Sequence, residues 1–235
     1  MMKMTILAPR RQGMSHADFR AYVVDVHGPL VRSVTEVAAD IRHYHYNFPI
    51  LGATDTFFGY PRADLDIVTQ GFSDSRDAQL ANMRHPRFLS VLRPDESNFA
   101  DTARAMMHYT DEHEVKAGPT TSTKVFYLRR RAPHLTRAEF QERWLVEFPP
   151  LAASLPFDEL VTRYVQNHAQ AEELHPDGSA ERYYDVIDEF WLASTEALDM
   201  LSPTEGAAAV AGFEGTLLAL GRTRAHVATM VPNIP

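Results

Sequence analysis

Cysteine is absent from all 235 residues. A disulfide framework, a thiolate nucleophile, an iron–sulfur cluster and a cysteine zinc site are therefore excluded. Long apolar runs are also missing. None reaches the ~18 residues that span a bilayer, so no membrane partner is expected. The opening Met1-Met2-Lys3-Met4-Thr5-Ile6 meets Pro9-Arg10-Arg11 before an export signal could form, and a cytoplasmic protein is expected. Basic charge is in deficit, with 23 Lys+Arg against 31 Asp+Glu and a net charge of −8, which argues against a nucleic-acid partner. The one basic run, Arg129-Arg130-Arg131, reads as a solvated strand end. The glycines form no G-x-G-x-x-G or Walker pattern, and the serines lack a nucleophile-elbow context. What remains is an ordinary globular composition, 45% hydrophobic and 23% charged.

The strongest positive signal is internal repetition. Met14 to Phe19 reads like Leu135 to Phe140, and Gly28-Pro29-Leu30 like Pro149-Pro150-Leu151, both at an offset of 121. Tyr44 and Asn47 fall on Tyr164 and Asn167 at 120, Asp66 on Asp185 at 119, and Arg104 and His108 on Arg222 and His226 at 118. Single-residue loop indels between duplicated units produce such a drift. Two units are expected, 1–112 and 120–235, joined by a polar Gly-Pro-containing linker over Thr110 to Ser122.

Each unit reads as strand, helix, strand, strand, helix, strand. Lys3 to Ala8 and Lys124 to Leu128 are β-prone starts. Ser15 with Asp18 and Thr136 with Glu139 are helix-start signatures. Phe19, Tyr22, Val23 and Val26 then recur at helical spacing, as do Phe140, Trp144 and Phe148. Pro29 and the Pro149-Pro150 pair are expected to interrupt these helices, and Ser75 and Ser194 to cap a second helix in each unit. This βαββαβ order is the ferredoxin-like plan of an α+β protein. Two such units in one chain predict an intramolecular dimeric α/β barrel, with a cavity between sheet and helices or between the two sheets.

These residues resemble a known family. Lys3 to Leu7, Met14 to Phe19, and Val26-His27-Gly28-Pro29-Leu30-Val31 resemble the EthD-like family of dimeric α/β-barrel proteins. In the second copy Thr162 to His168 and Tyr184 to Trp191 look like the same family's second and third strands. The resemblance implies a small soluble barrel, usually paired, so a homodimer of the whole chain is allowed. Related members include cofactor-independent decarboxylases, lactone isomerases and accessory proteins of oxygenase systems. The second copy departs at the most specific point, carrying Phe148-Pro149-Pro150 where the first has His27-Gly28-Pro29.

His27 is the leading catalytic candidate. At a helix C-terminus the macrodipole should raise its pKa and poise it for acid–base work; the alternative is a helix cap. Tyr44 and His45 are expected to orient a substrate, with His43, Arg42 and His108 as binding residues. Tyr44 and His108 are matched by Tyr164 and His226, which also fits a scaffold role. A three-histidine metal site from His43, His45 and His27 or His108 is conceivable, but no metal is expected. Asp188 and Glu189 are adjacent on a strand and point to opposite faces, so they form no acid–base pair. The expected activity is proton transfer on a small aromatic or lactone-like molecule, in decarboxylation, isomerisation or elimination, with no tightly bound cofactor. The alternatives are a non-catalytic accessory barrel and a haem- or metal-dependent oxidoreductase.

Overall fold

The computed structural model describes residues 1–54, 58–153, 160–170, 183–197 and 205–234. The chain forms two compact units. The first holds Met1–Pro49, Asp64–Thr110 and Met230–Pro235, and the second holds Ile50–Ala63 and Asp111–Thr229. The fold class is α+β, two ferredoxin-like units of the dimeric α/β-barrel type. Among the described residues, no helix is long and apolar enough to cross a membrane.

In the first unit β1 (Met2–Ala8) is central. It pairs with β3 (Ile67–Ser73) and β4 (Met106–Lys116), and β2 (His43–Pro49) pairs with the far side of β3. The order is β4-β1-β3-β2, antiparallel throughout. Strand alternation sends Met4, the Cα of Gly71 and Tyr44 to the helix-facing side, where a Cβ on Gly71 would stand 3.4 Å from the Tyr44 ring. Thr5, Gln70, His45 and His108 form a row on the other face.

The helical layer starts at α1 (His16–Tyr22), where the Ser15 hydroxyl accepts from the Asp18 N–H at 3.1 Å as its spacing predicts. A π-turn over Val23–His27 follows, then α2 (Gly28–Ser33) and α3 (Thr35–Ala38). After β3 come α4 (Arg76–Arg84), capped by Ser75, a second π-turn at Phe88–Leu92, and α5 (Arg93–Phe99). Phe19 anchors the layer, its ring centroid 6.2 Å from Phe48 and 5.9 Å from Phe99.

The second unit repeats the plan. β5 (Thr123–Arg129) lies between β7 (Val186–Leu192) and β8 (Arg224–Ile234), with β6 (Val161–Ala169) beyond β7. Its helices are α6 (Arg137–Ala152), opened by a complete Thr136/Glu139 capping box, and α7 (Glu205–Leu217). The helix expected after Ser194 shows its first helical residue at Ala197, and the rest of that expectation lies outside the described residues. The registers repeat with the sequence: Lys3 faces Phe72 and Lys124 faces Trp191, while Thr5 faces His108 and Phe126 faces His226. Asp66 bonds the Arg10 backbone N–H at 2.8 Å, and Asp185 bonds that of Arg131 at 2.9 Å. Two matched carboxylates thus tie down matched loops.

Three sequence expectations are corrected. Pro29 does not interrupt its helix: the Gly28 N–H bonds Val23 O one residue further back than in an α-turn, and the axis runs on into α2 with Pro29 in its first turn. Pro149 and Pro150 likewise lie inside α6. The stretch Thr110 to Lys116 is not linker but the second half of β4, where Val115 packs on the second unit's core and Glu114 pairs with Arg163 at 2.7 Å. Arg129 is no solvated strand end, since it is fully buried.

Truncating Phe19 to alanine removes the centre of the first unit's aromatic layer. Equilibrium urea unfolding is expected to show a loss of about 3–5 kcal/mol, against well under 1 kcal/mol for the exposed Leu89→Ala.

Candidate functional site

The space between sheet and helices of the first unit collects most of its buried titratable groups. His27 is 5% exposed and ends the π-turn. The extra residue in that turn gives His27 an i→i+5 register, and π-turns of this kind recur where a side chain must be re-aimed. Its Nδ1 lies 2.8 Å from Asp95 Oδ2 on α5, and its ring packs 4.7 Å from Phe99. Asp95 Oδ1 also accepts from the Tyr22 hydroxyl at 2.6 Å and Asn98 Nδ2 at 3.1 Å.

An ionised carboxylate only accepts, so Nδ1 carries the proton and Nε2 is left with its lone pair. Burial pulls the His27 pKa below its ordinary value, and Asp95 opposes this only partly. Burial pushes Asp95 upward, but the hydrogen bonds from Tyr22, His27 and Asn98 together hold its carboxyl below the usual range. The result is a neutral imidazole on a fixed anionic support, which is the protonation state a general base needs at neutral pH. The upward shift expected from a helix C-terminus is therefore corrected. His27 lies inside a continuous helical run, so desolvation outweighs the dipole.

Tyr44 and Tyr46 lie on the same face of β2, rings 5.3 Å apart, and burial raises both phenols. Tyr46 is 2% exposed, and its hydroxyl has no hydrogen-bond partner among the described residues. Burial dominates the rise at Tyr46, with Tyr44, Arg32 and Asp95 acting on it to a smaller extent. Burial also raises Glu96, the residue after Asp95, although Arg93 bonds it at 2.7 Å.

The other sequence candidates fall elsewhere. His45 and His43 are on the opposite face of β2 from Tyr44, their ring centroids 5.6 and 5.8 Å from Phe72 in tilted and edge-on contact. His108 shares that face through Thr5. Strand alternation therefore separates all three from His27, and the three-histidine arrangement does not form. No cluster of three metal-ligand side chains occurs among the described residues. Arg42 is at the surface, paired through Nε with Asp74 at 2.9 Å. Tyr44 faces the same helix-facing layer that holds His27, and Asp95, Tyr46, Tyr22 and Glu96 were not singled out from the sequence. Asp95 is 68 residues from His27, and only the packing of α5 on the π-turn shows the pair.

In the second unit the corresponding layer is filled. Arg129 extends from the end of β5, its Nε 2.9 Å from Asp188 and its Nη1 2.6 Å from Glu214. The rings of Trp144, Phe58 and Tyr127 lie 4.8–4.9 Å from the guanidinium carbon. Tyr60 donates to Glu214 at 2.5 Å, and Tyr164 donates to Asp188 at 3.0 Å. Asp188 and Glu189 do face opposite ways: Glu189 meets Lys124 at 3.3 Å on the other side of the sheet.

Comparison with known proteins bears on this site. The model of the EthD domain matches residues 11–103, which include His27 and Asp95. A curated relative, the conidial pigment biosynthesis dehydratase EthD of Metarhizium robertsii, is 34% identical over 110 residues, 44% of this chain and 77% of that protein. Among solved structures, an anthrone oxidase-like protein superposes with a TM-score of 0.63 at 11% identity, over 98% of this chain and 90% of its own. A mutant chlorite dismutase from Candidatus Nitrospira defluvii gives 0.55 at 11%, over 99% and 92%. At such identities these structures show the fold alone.

Because the folded-state pKa of His27 is depressed, protonation favours the unfolded chain. The contribution is complete above the ordinary histidine value and is lost as pH falls from about 6.5 toward the folded value. In a two-dimensional NMR titration the His27 ring signals are expected to titrate below the ordinary histidine value of about 6.5. Asp95→Asn, which removes the opposing anion, is expected to move that midpoint lower still. A midpoint above that ordinary value would contradict the buried pair.

Proposed function

The chain belongs to the EthD domain family, and from that premise we propose that its first unit is a lyase of the dehydratase type, acting on a hydroxylated ring compound by acid–base chemistry at His27. The observation that carries the proposal is the buried Nδ1–Asp95 contact of 2.8 Å, in the same helix-facing layer as the unsatisfied Tyr46 hydroxyl. The relative's description as a pigment biosynthesis dehydratase supports the choice of elimination among the proton-transfer reactions.

In the proposed step, His27 Nε2 removes a proton from a carbon next to a ring carbonyl. The electron pair moves toward that carbonyl, whose oxygen accepts a hydrogen bond from Tyr46. The carbon–oxygen bond to the neighbouring hydroxyl then breaks, and the proton now on Nε2 goes to the departing oxygen. The products are water and an unsaturated ring, and His27 is returned neutral. Asp95 does not exchange the proton. It holds the tautomer and stabilises the transient imidazolium, and Tyr22 and Asn98 hold Asp95. Tyr44 shapes the wall beside Tyr46.

The second unit does not repeat this chemistry. Phe148 stands where His27 would be, stacked 4.2 Å from Trp144, and Arg129 occupies the layer beneath. The proposal therefore assigns one active pocket per chain.

A fused-ring β-hydroxyketone offers a direct assay, because loss of water extends conjugation and changes the absorbance. His27→Gln is expected to lower kcat by about 10²–10⁴-fold. Asp95→Asn is expected to cost about 10–100-fold and to move the acid limb of the rate profile to lower pH, in step with the histidine titration. Turnover by His27→Gln at the wild-type rate would refute the assignment.

A further inference from the structure

The duplication lets one unit serve as a template for the other. Ala8 faces Ile67 in the first sheet, and Arg129 faces Val186 in the second, so Ala8 and Arg129 are equivalent. In the same way Thr69, opposite Ile6, corresponds to Asp188, opposite Tyr127. The helix ends supply the third match. Ala100 N–H bonds Glu96 O and Leu218 N–H bonds Glu214 O, each residue lying on an isolated bridge to Arg10 or Arg131. Glu96 is therefore the counterpart of Glu214, which binds the Arg129 guanidinium.

In the second unit that planar group fills the layer. In the first, Ala8 ends at Cβ, and the strand sends nothing into the same place. Two neighbouring positions are smaller too: Val23 lies at the repeat offset of Trp144, and Ile6 corresponds to Tyr127. Ile6 is half-buried on the helix-facing side of a central strand, whereas Tyr127 is buried. The polar groups that would receive a ligand are still there. Glu96 keeps the position of a guanidinium ligand, and the buried Tyr46 hydroxyl lacks a partner among the described residues.

We infer that the first unit binds a planar, uncharged ring at the place the Arg129 guanidinium takes in the second, with a ring hydroxyl donating to Glu96 and a ring face toward His27, and that Ala8 determines which rings fit. The inference rests on reading this layer as the active pocket, and it adds the ligand's shape, charge and orientation. Planarity follows from the guanidinium it replaces. Neutrality follows from the carboxylate count. Two carboxylates compensate Arg129, but Thr69 replaces one of them, and Arg93 already neutralises Glu96. A cation there would be under-compensated, while a phenolic hydroxyl needs only an acceptor.

The test uses 2-naphthol as probe and methylguanidinium as competitor, with binding followed by the naphthol fluorescence on the intact chain. Wild type is expected to bind one naphthol, and methylguanidinium is expected not to displace it. Ala8→Leu shortens the space with little electrostatic change and is expected to weaken binding at least about tenfold. Ala8→Arg is expected to abolish it, and circular dichroism shows whether each variant is folded. Glu96→Gln keeps an acceptor but loses the charge, and is expected to weaken binding about three- to tenfold. Unchanged affinity in a folded Ala8→Leu, or displacement by methylguanidinium, would overturn the inference. Because binding is read without turnover, loss of the binding pattern refutes the ligand assignment. A rate unaffected by His27→Gln refutes the catalytic reading instead.

Discussion

A four-stranded sheet with helices on one face must fill the layer between them, because an unfilled layer forfeits the dispersion contacts of every atom that lines it. The two copies in this chain meet that constraint differently. The second fills the layer with one arginine, whose desolvation is offset by two carboxylates and a wall of aromatic faces. The first places alanine, threonine and valine at the matching positions and spends its polar residues on a hydrogen-bonded group around Asp95. Everything proposed for the first unit depends on that difference.

The Asp95 group also supplies what the base proposed at His27 would require. A buried imidazole alone would be a poor acid–base residue, since desolvation disfavours the charged form it must pass through. A carboxylate fixed by three donors restores part of that stability and selects the tautomer. The π-turn is part of the same construction, because it lets the helix carry His27 toward α5 and still continue through Pro29. Space is tight at Gly28, where a Cβ would stand 2.8 Å from the Asn233 side-chain oxygen and 3.2 Å from the Val23 carbonyl, so that a larger residue would displace Asn233.

Much of this was legible in the chain. The drifting repeat gave two units, and the strand registers follow it residue for residue, as in Lys3 with Phe72 and Lys124 with Trp191. The capping signals at Ser15, Ser75 and Thr136 all correspond to real helix starts. Comparing the copies also singled out His27 against Phe148. The comparison was less useful on β2, where matched Tyr44 drew attention from Tyr46, whose counterpart is Gln166. The Gln166 side chain bonds Tyr164 and the Trp144 carbonyl, while the Tyr46 hydroxyl has no partner among the described residues. The histidine-rich strand misled for a simple reason. Period-two alternation fixes that His43 and His45 share a face, but not which face meets the helices.

The sequence by itself determined the order of elements, the duplication and the asymmetry between the copies, because periodicity, capping and repetition are local properties of a chain. It could not show that Asp95 bonds His27, that Arg129 is buried, or that Ala8 ends a strand on the face where, in the other copy, Arg129 meets Asp188 and Glu214. Those facts depend on which residues meet across a sheet and a helical layer after tens of residues of intervening chain. Burial, which sets the protonation of His27 and the fate of each charged group, exists only once that packing is made.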